Sequence, residues 1–170
     1  MGMKRNETWR GSEQWPGHEE GSTPGSAYYE RRKYPEPTVC SDCGLVYHRG
    51  HWANSQAAPP NANQERCPAC RRILERNPGG VIFLEGSYFQ ERETEILHVA
   101  KNQEKLAKEH RPLQRIMWIK KNGSAVEIAV TNFHLARRIG EAIFHAHKGD
   151  LEVKYSEGDR FARVYWSRES

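Results

Sequence analysis

The stretch "GGVIFLEGSYFQERETEILHVAKNQEKLAKEHRP", residues 79–112, decides how the chain is read. Its first part sets the apolar run Val81 to Leu84 between glycines, the pattern of a short buried strand. From Ser87 the period changes. Phe89, Ile96, Val99 and Ala100 fall within one apolar stripe of a long helix. Ser87 is expected to cap it, glutamates gather early and lysines late, and "HRP" at 110–112 ends it.

Toward the C-terminus, "PLQRIMWIKK" (112–121) and "AVEIAVT" (125–131) read as two strands across the turn "NGS". "TNFHLARRIGEAIFHAHKG" (131–149) reads as a second helix. Thr131 or Asn132 caps it, Leu135, Ile139, Ala142, Ile143 and Ala146 face inward, and Gly149 ends it. "DLEVKYS" (150–156) and "RFARVYWS" (160–167) are alternating strands across "EGD". The order is β-α-β-β-α-β with one more strand. It predicts an α+β fold over residues 79–170, a ferredoxin-like βαββαβ domain with an extra C-terminal strand and both helices on one sheet face.

Toward the N-terminus lie all four cysteines of the 170-residue chain, in "CSDCG" (40–44) and "CPAC" (67–70). The spacing C-x2-C-x23-C-x2-C is what a tetrahedral zinc site needs. Each short pair turns two sulfurs toward one point, and the chain between folds back to join them. Gly44 suits a backbone bending around a metal, and Pro68 stiffens the second pair. The expectation is one structural Zn2+ held by Cys40, Cys43, Cys67 and Cys70 in a zinc ribbon over residues 37–78. A redox dithiol would need one pair beside a βαβ unit, and disulfides belong to oxidising compartments. His48 and His51 lie close enough to replace a thiolate. The competing reading is that they are exposed, and four cysteines already fill the tetrahedron.

Residues 1–36 are rich in Gly, Ser, Pro and Glu and show no apolar period, so they read as a disordered tail. The tail nevertheless carries Trp9, Trp15, Tyr28, Tyr29 and Tyr34 and the basic cluster "RRK" at 31–33. Two readings stand: an aromatic segment that docks onto a protein partner, or a loose end that packs on its own domain. The start has no apolar h-region and no apolar run reaches membrane-spanning length. A cytoplasmic protein without membrane contact is expected.

Apolar residues make up 36% of the chain and charged residues 28%, so the whole length cannot be one dense core. The formal charge of +4 falls to about +2 when four thiolates and one Zn2+ are counted. Bulk charge thus does not demand nucleic acid, but a local patch can bind it. His134, Arg138, Glu141, His145 and Lys148 form one stripe of the second helix, with Arg137 beside it. Such a stripe can hold phosphates. It can equally be a solvated face. On the strands, Trp118, Tyr155, Phe161, Tyr165 and Trp166 are interleaved with Lys120, Lys154, Arg160 and Arg163. Exposed aromatics on a sheet stack RNA bases, yet alternation sends about half of them into the core, and the RNP1 pattern is absent.

Enzyme signatures are missing: there is no G-x-x-x-x-G-K-[ST], G-x-S-x-G or H-E-x-x-H. Glu91, Glu93 and Glu95 read as first-turn helix surface, and His145 and His147 are too close in sequence to share one helix face.

The runs "CSDCG…CPAC", "NPGGVIFLEG" (77–86), "HRPLQRI" (110–116), "TNFHLARRIG" (131–140) and "HKGDLEVKY…RVYW" together resemble the zinc-binding N-terminal region of a known family. These are the 60S ribosomal-subunit export adaptors of the nonsense-mediated-decay-protein-three family. The similarity is closer still to a group of short bacterial relatives, and it spans about residues 37–168. It implies a non-enzymatic protein that binds ribosomal RNA or the ribosome, with the four cysteines as zinc ligands. The basic helix, at Arg137 and Arg138, is the implied contact surface. The larger relatives carry more Cys-x-x-Cys pairs, a later domain and export signals, and none of these is expected here.

The expectation is therefore a zinc ribbon joined to a ferredoxin-like domain that binds structured RNA. His134, Arg137, Arg138, Lys148 and Arg163 are the candidate RNA contacts. The alternatives are a zinc-ribbon protein–protein adaptor and an RNA hydrolase with a site near His134 and Arg138.

Overall fold

The computed structural model describes residues 33–54, 58–156 and 161–170. Within them the chain is a mixed α+β protein with two mixed sheets and four helices. The tail residues Trp9, Trp15, Tyr28 and Tyr29 and the basic Arg160 lie outside the described residues.

The first sheet has the order β3-β2-β1-β4 and is made of three-residue strands: β1 Thr38–Cys40, β2 Val46–His48, β3 His51–Ala53 and β4 Asn63–Glu65. Strands so short bury little by themselves, and an aromatic trio supplies the packing. Tyr34, Tyr47 and Trp52 meet in pairs with ring centroids 5.0–5.4 Å apart, each ring at least 93% buried. Tyr34, read above as part of the tail, is thus a core residue of this small module. Leu113, from the other half of the chain, packs against the same cluster.

Helix α1, Pro68–Glu75, leads to the second sheet, ordered β6-β7-β5-β9-β8. Its strands are β5 Gly80–Glu85, β6 Ile116–Asn122, β7 Ala125–Val130, β8 Asp150–Tyr155 and β9 Ala162–Ser167. Helices α2 Ser87–Glu91, α3 Glu93–His110 and α4 Phe133–His147 contribute to one core with the even-numbered residues of β5, β7 and β9. Ile82, Ile128 and Val164 share one row of paired positions on that face, and Leu135, Ile139 and Ile143 of α4 are buried in the same core. Gly140 lets α4 approach closely, because a Cβ there would sit 2.5 Å from Val164 Cγ1. On the opposite face Val81, Phe83, Ala125 and Phe161 form a smaller cluster, with Tyr165 stacked on Phe83 at 5.0 Å. An apolar run buried on both sides is what a central strand requires, and β5 is central.

The first half of the sheet follows the split βαβ pattern, for β5 and β6 run parallel with the antiparallel β7 between them. The second half is wider. β8 is at the sheet edge, and β9 inserts between it and β5, parallel to β5. Composition explains the choice. β9 alternates Ala162, Val164 and Trp166 into the core, whereas β8 carries Asp150, Glu152 and Lys154, which suit an edge.

Three local expectations change. The long helix is two, parted at Arg92, whose φ of −124° leaves the helical region and whose N–H is shared between Tyr88 and Phe89 carbonyls. Ser87 is the first helical residue instead of the cap; Gly86 precedes it, and the Ser87 hydroxyl bonds Glu169 at 2.7 Å. Ala146 faces outward, past the end of the buried stripe. Of the two candidate caps of α4, Asn132 performs the role, its Oδ1 accepting from the His134 N–H at 2.8 Å. Among the described residues, no helix is long and apolar enough to cross a membrane.

Candidate metal centre

The site begins with a tight turn. Cys40 ends β1, its N–H donating to the Leu45 carbonyl at 2.7 Å while Gly44 N–H donates back to the Cys40 carbonyl at 3.0 Å. Gly44 sits at φ +80° with open space around it, so conformation and not crowding requires glycine there.

Strand β4 runs parallel to β1 with Cys40 paired to Glu65, and Ser41 N–H donates to the Glu65 carbonyl. This pairing delivers the chain, after 23 intervening residues, back to the first pair. Arg66 clamps the return through an ion pair with Asp42. The second pair then departs from expectation. It is the first turn of a helix, not a second knuckle: Cys67 caps α1, Pro68 takes the first helical position, and Cys70 completes the turn. The Cys67 Sγ accepts from the Cys70 N–H at 3.4 Å, and the Cys40 Sγ from the Cys67 N–H at 3.3 Å.

All four Sγ atoms fall within 4.8 Å of one another. Cys43 Sγ and Cys67 Sγ are 3.8 Å apart. A tetrahedron with metal–sulfur bonds of roughly 2.3 Å has edges of about 3.8 Å, so the arrangement fits a bound ion. Cys40, Cys67 and Cys70 are buried, while Cys43 is exposed. The cluster can hold a metal ion through these four thiolates. His48 and His51 face each other across the β2–β3 turn, are exposed, and take no part in the cluster.

A fifth residue completes the site. Arg115, between α3 and β6, places one guanidinium nitrogen 3.2 Å from Cys70 Sγ and the other 3.2 Å from Cys43 Sγ and 3.9 Å from Cys67 Sγ. Its Nε donates to the Pro112 carbonyl at 2.9 Å, and its backbone N–H donates to Thr131 Oγ1 at 2.9 Å. Thr131 in turn donates to the Leu113 carbonyl, so the loop is locked to the start of α4. Burial opposes the charge of Arg115, but hydrogen bonds to Cys43 and Cys70 outweigh it and hold its pKa above the ordinary value.

The thiols respond to the same contacts. The Cys67 hydrogen bond lowers Cys43 to about 4, helped by the Leu45 N–H and Arg115. Cys67, its partner in that contact and largely buried, is raised. Burial pushes Cys70 up to about 11 against the pull of Arg115. Sequence reasoning missed Arg115, since no spacing rule links position 115 to cysteines at 40–70. Its only trace was its place within "HRPLQRI", one of the runs that carry the resemblance.

The candidate RNA contacts are dispersed. Arg138 bonds the Gln114 side chain, and its pKa is lowered by burial first and then by Arg111 and Arg137. Arg137 pairs with Glu141 at 3.8 Å, both about half exposed. His134, also in the first half of α4, has its ring 3.9 Å from that of Phe133. Lys148 is at the far end of α4, where its carbonyl accepts from Trp166 Nε1 at 2.6 Å. Arg163 belongs to the sheet face away from the helices, its guanidinium 5.0 Å from the Phe161 ring. Arg138 feels the charge of Arg111 and of its neighbour Arg137, whereas Lys148 at the far end of α4 and Arg163 on the other sheet face lie apart. Alternation does not sort the strand aromatics by exposure, because both sheet faces carry apolar clusters: Trp166 is buried on the helix-facing side and Phe161 on the opposite one, while Tyr155 is half exposed.

Comparison of the chain with protein-family models, with curated proteins and with solved structures finds no match in any of the three. The class is thus defined by geometry alone: an α+β chain with two sheets and a four-cysteine cluster able to hold a metal ion.

Proposed function

We propose that this chain is a non-enzymatic zinc protein in which a zinc-ribbon module, fixed to a widened ferredoxin-like domain, presents a surface for structured RNA. The observation that carries the metal half is the four-sulfur cluster. Soft thiolates in tetrahedral array select zinc or iron–sulfur chemistry, and four protein ligands leave no open position of the kind a catalytic zinc keeps. Arg115 adds a positive charge beside a centre that would carry −2. What supports the RNA half is the positive charge of Arg137 and Arg138 in the first half of α4, felt together with that of Arg111. The sequence resemblance described above makes ribosomal RNA the expected target.

Co-sedimentation with ribosomes across a salt series tests this reading. Association that weakens steeply as salt rises is the expected result. A second reading, a protein–protein adaptor, is favoured by Ile73 and Leu74 on α1, which are 39% and 60% exposed beside the cysteine cluster. Association that is flat with salt and lost in Leu74→Asp would establish the adaptor instead.

A further inference from the structure

We propose that the cleft between the cysteine module and the α3–β6 connection seats a phosphate group of the RNA backbone, held by Arg111 and Arg138. This rests on the RNA reading above and gives it a location.

The cleft has a volume of about 430 Å³, within the size range of ligand sites. One wall is Gly50, His51 and Trp52, at the turn into β3; the other is the run from His110 to Gln114. Both walls are held in place. Asn54 Nδ2 donates to the Lys108 carbonyl at 2.9 Å, tying the module to the end of α3. Trp52 is fixed by its contacts with Tyr34 and Tyr47.

Three features make the cleft suited to an anion. Arg111 lines it and is exposed. Arg138 reaches the same wall from α4, because its guanidinium donates to the side chain of the lining residue Gln114. Arg111 and Arg137 are near enough to Arg138 to disfavour its charge, and Glu141, paired with Arg137, is the acid that offsets them. An anion seated between the arginines relieves that repulsion. The third feature is the pair His51 and His110, which line the cleft and can each present a ring N–H.

The test uses the full, metal-loaded chain labelled with 15N. It is titrated separately with inorganic phosphate and with a short RNA hairpin. Both ligands are expected to shift the Trp52 indole resonance and the Arg111 and Gln114 amides. Arg111→Ala should weaken hairpin binding about tenfold and reduce the log–log salt slope by about one, with Lys101→Ala on α3 as an unaffected control. Hairpin binding that shifts other surfaces and ignores Arg111→Ala overturns the cleft and leaves the RNA reading standing. Phosphate shifts at the cleft with no hairpin binding remove the RNA source and leave an anion site for free phosphates. An acidic peptide that competes better than the hairpin would also overturn the RNA assignment. No shift with any of these ligands overturns both.

Discussion

Arg115 touches the candidate metal centre with both ends of its guanidinium fork. A four-thiolate centre around a divalent ion carries net charge −2, and a guanidinium 3.2 Å from two of its sulfurs offsets half of it. The same residue is anchored by Pro112 and Thr131 in the α+β half, so the charge contact is also a mechanical one. Arg115→Met is therefore expected to lower metal affinity by about 10–100-fold, the usual weight of such supporting contacts, as measured by competition with a chromophoric chelator. Arg115→Lys should recover only part of the loss, because an ammonium cannot reach two sulfurs with a planar fork. Unchanged affinity in both variants would show that the guanidinium is a bystander.

The thiols make a second prediction at this scale. Cys67 and Cys70 have raised pKa values, so both are protonated at neutral pH in the metal-free chain. Binding must expel those protons, and affinity should rise with pH and fall on acidification. Calorimetry in two buffers of different ionisation heat measures the release; a binding heat that ignores the buffer would contradict it.

At the scale of elements, the sequence was most legible where a period persisted. Strand β5 and helix α4 announce themselves through an unbroken apolar run and a clean stripe of Leu135, Ile139 and Ile143. Pairing was not legible, because which strand lies beside β5 is settled by whole-sheet packing and not by local pattern. β8 and β9 both alternate, and only the heavier apolar content of β9 draws it inward. The second cysteine pair was half legible. Its thiols were evident, but proline directly after Cys67 was also a helix-start signal, and it placed Cys70 in a first helical turn. Arg115 could not be found by spacing at all.

The packing of α4 on β9 can be tested directly. Trp166 is buried and donates to the Lys148 carbonyl, so Trp166→Ala should cost about 3–5 kcal/mol in denaturant unfolding of the α+β half. Gly140→Val places branched atoms where Val164 already stands and should cost about 1–3 kcal/mol. If Gly140→Val is neutral, α4 does not lie as close to the sheet as described.

At the scale of the molecule, the two sheets differ in what holds them. The five-stranded sheet has a large apolar core of its own, whereas the four-stranded one depends on three aromatic rings and the cysteine cluster. Cys67→Ser should accordingly expose residues 33–78 to protease while the segment from Gly79 onward stays protected. Equal cleavage across both halves would mean that the two form one cooperative unit. The cleft between them, and whatever it binds, depends on the small module remaining docked.

The most direct measurement is elemental analysis of the purified full chain together with a count of its reactive thiols. One zinc per chain is expected, with four thiols that become reactive only after chelation. A chain with no stoichiometric metal, or with its cysteines joined as disulfides, would contradict it.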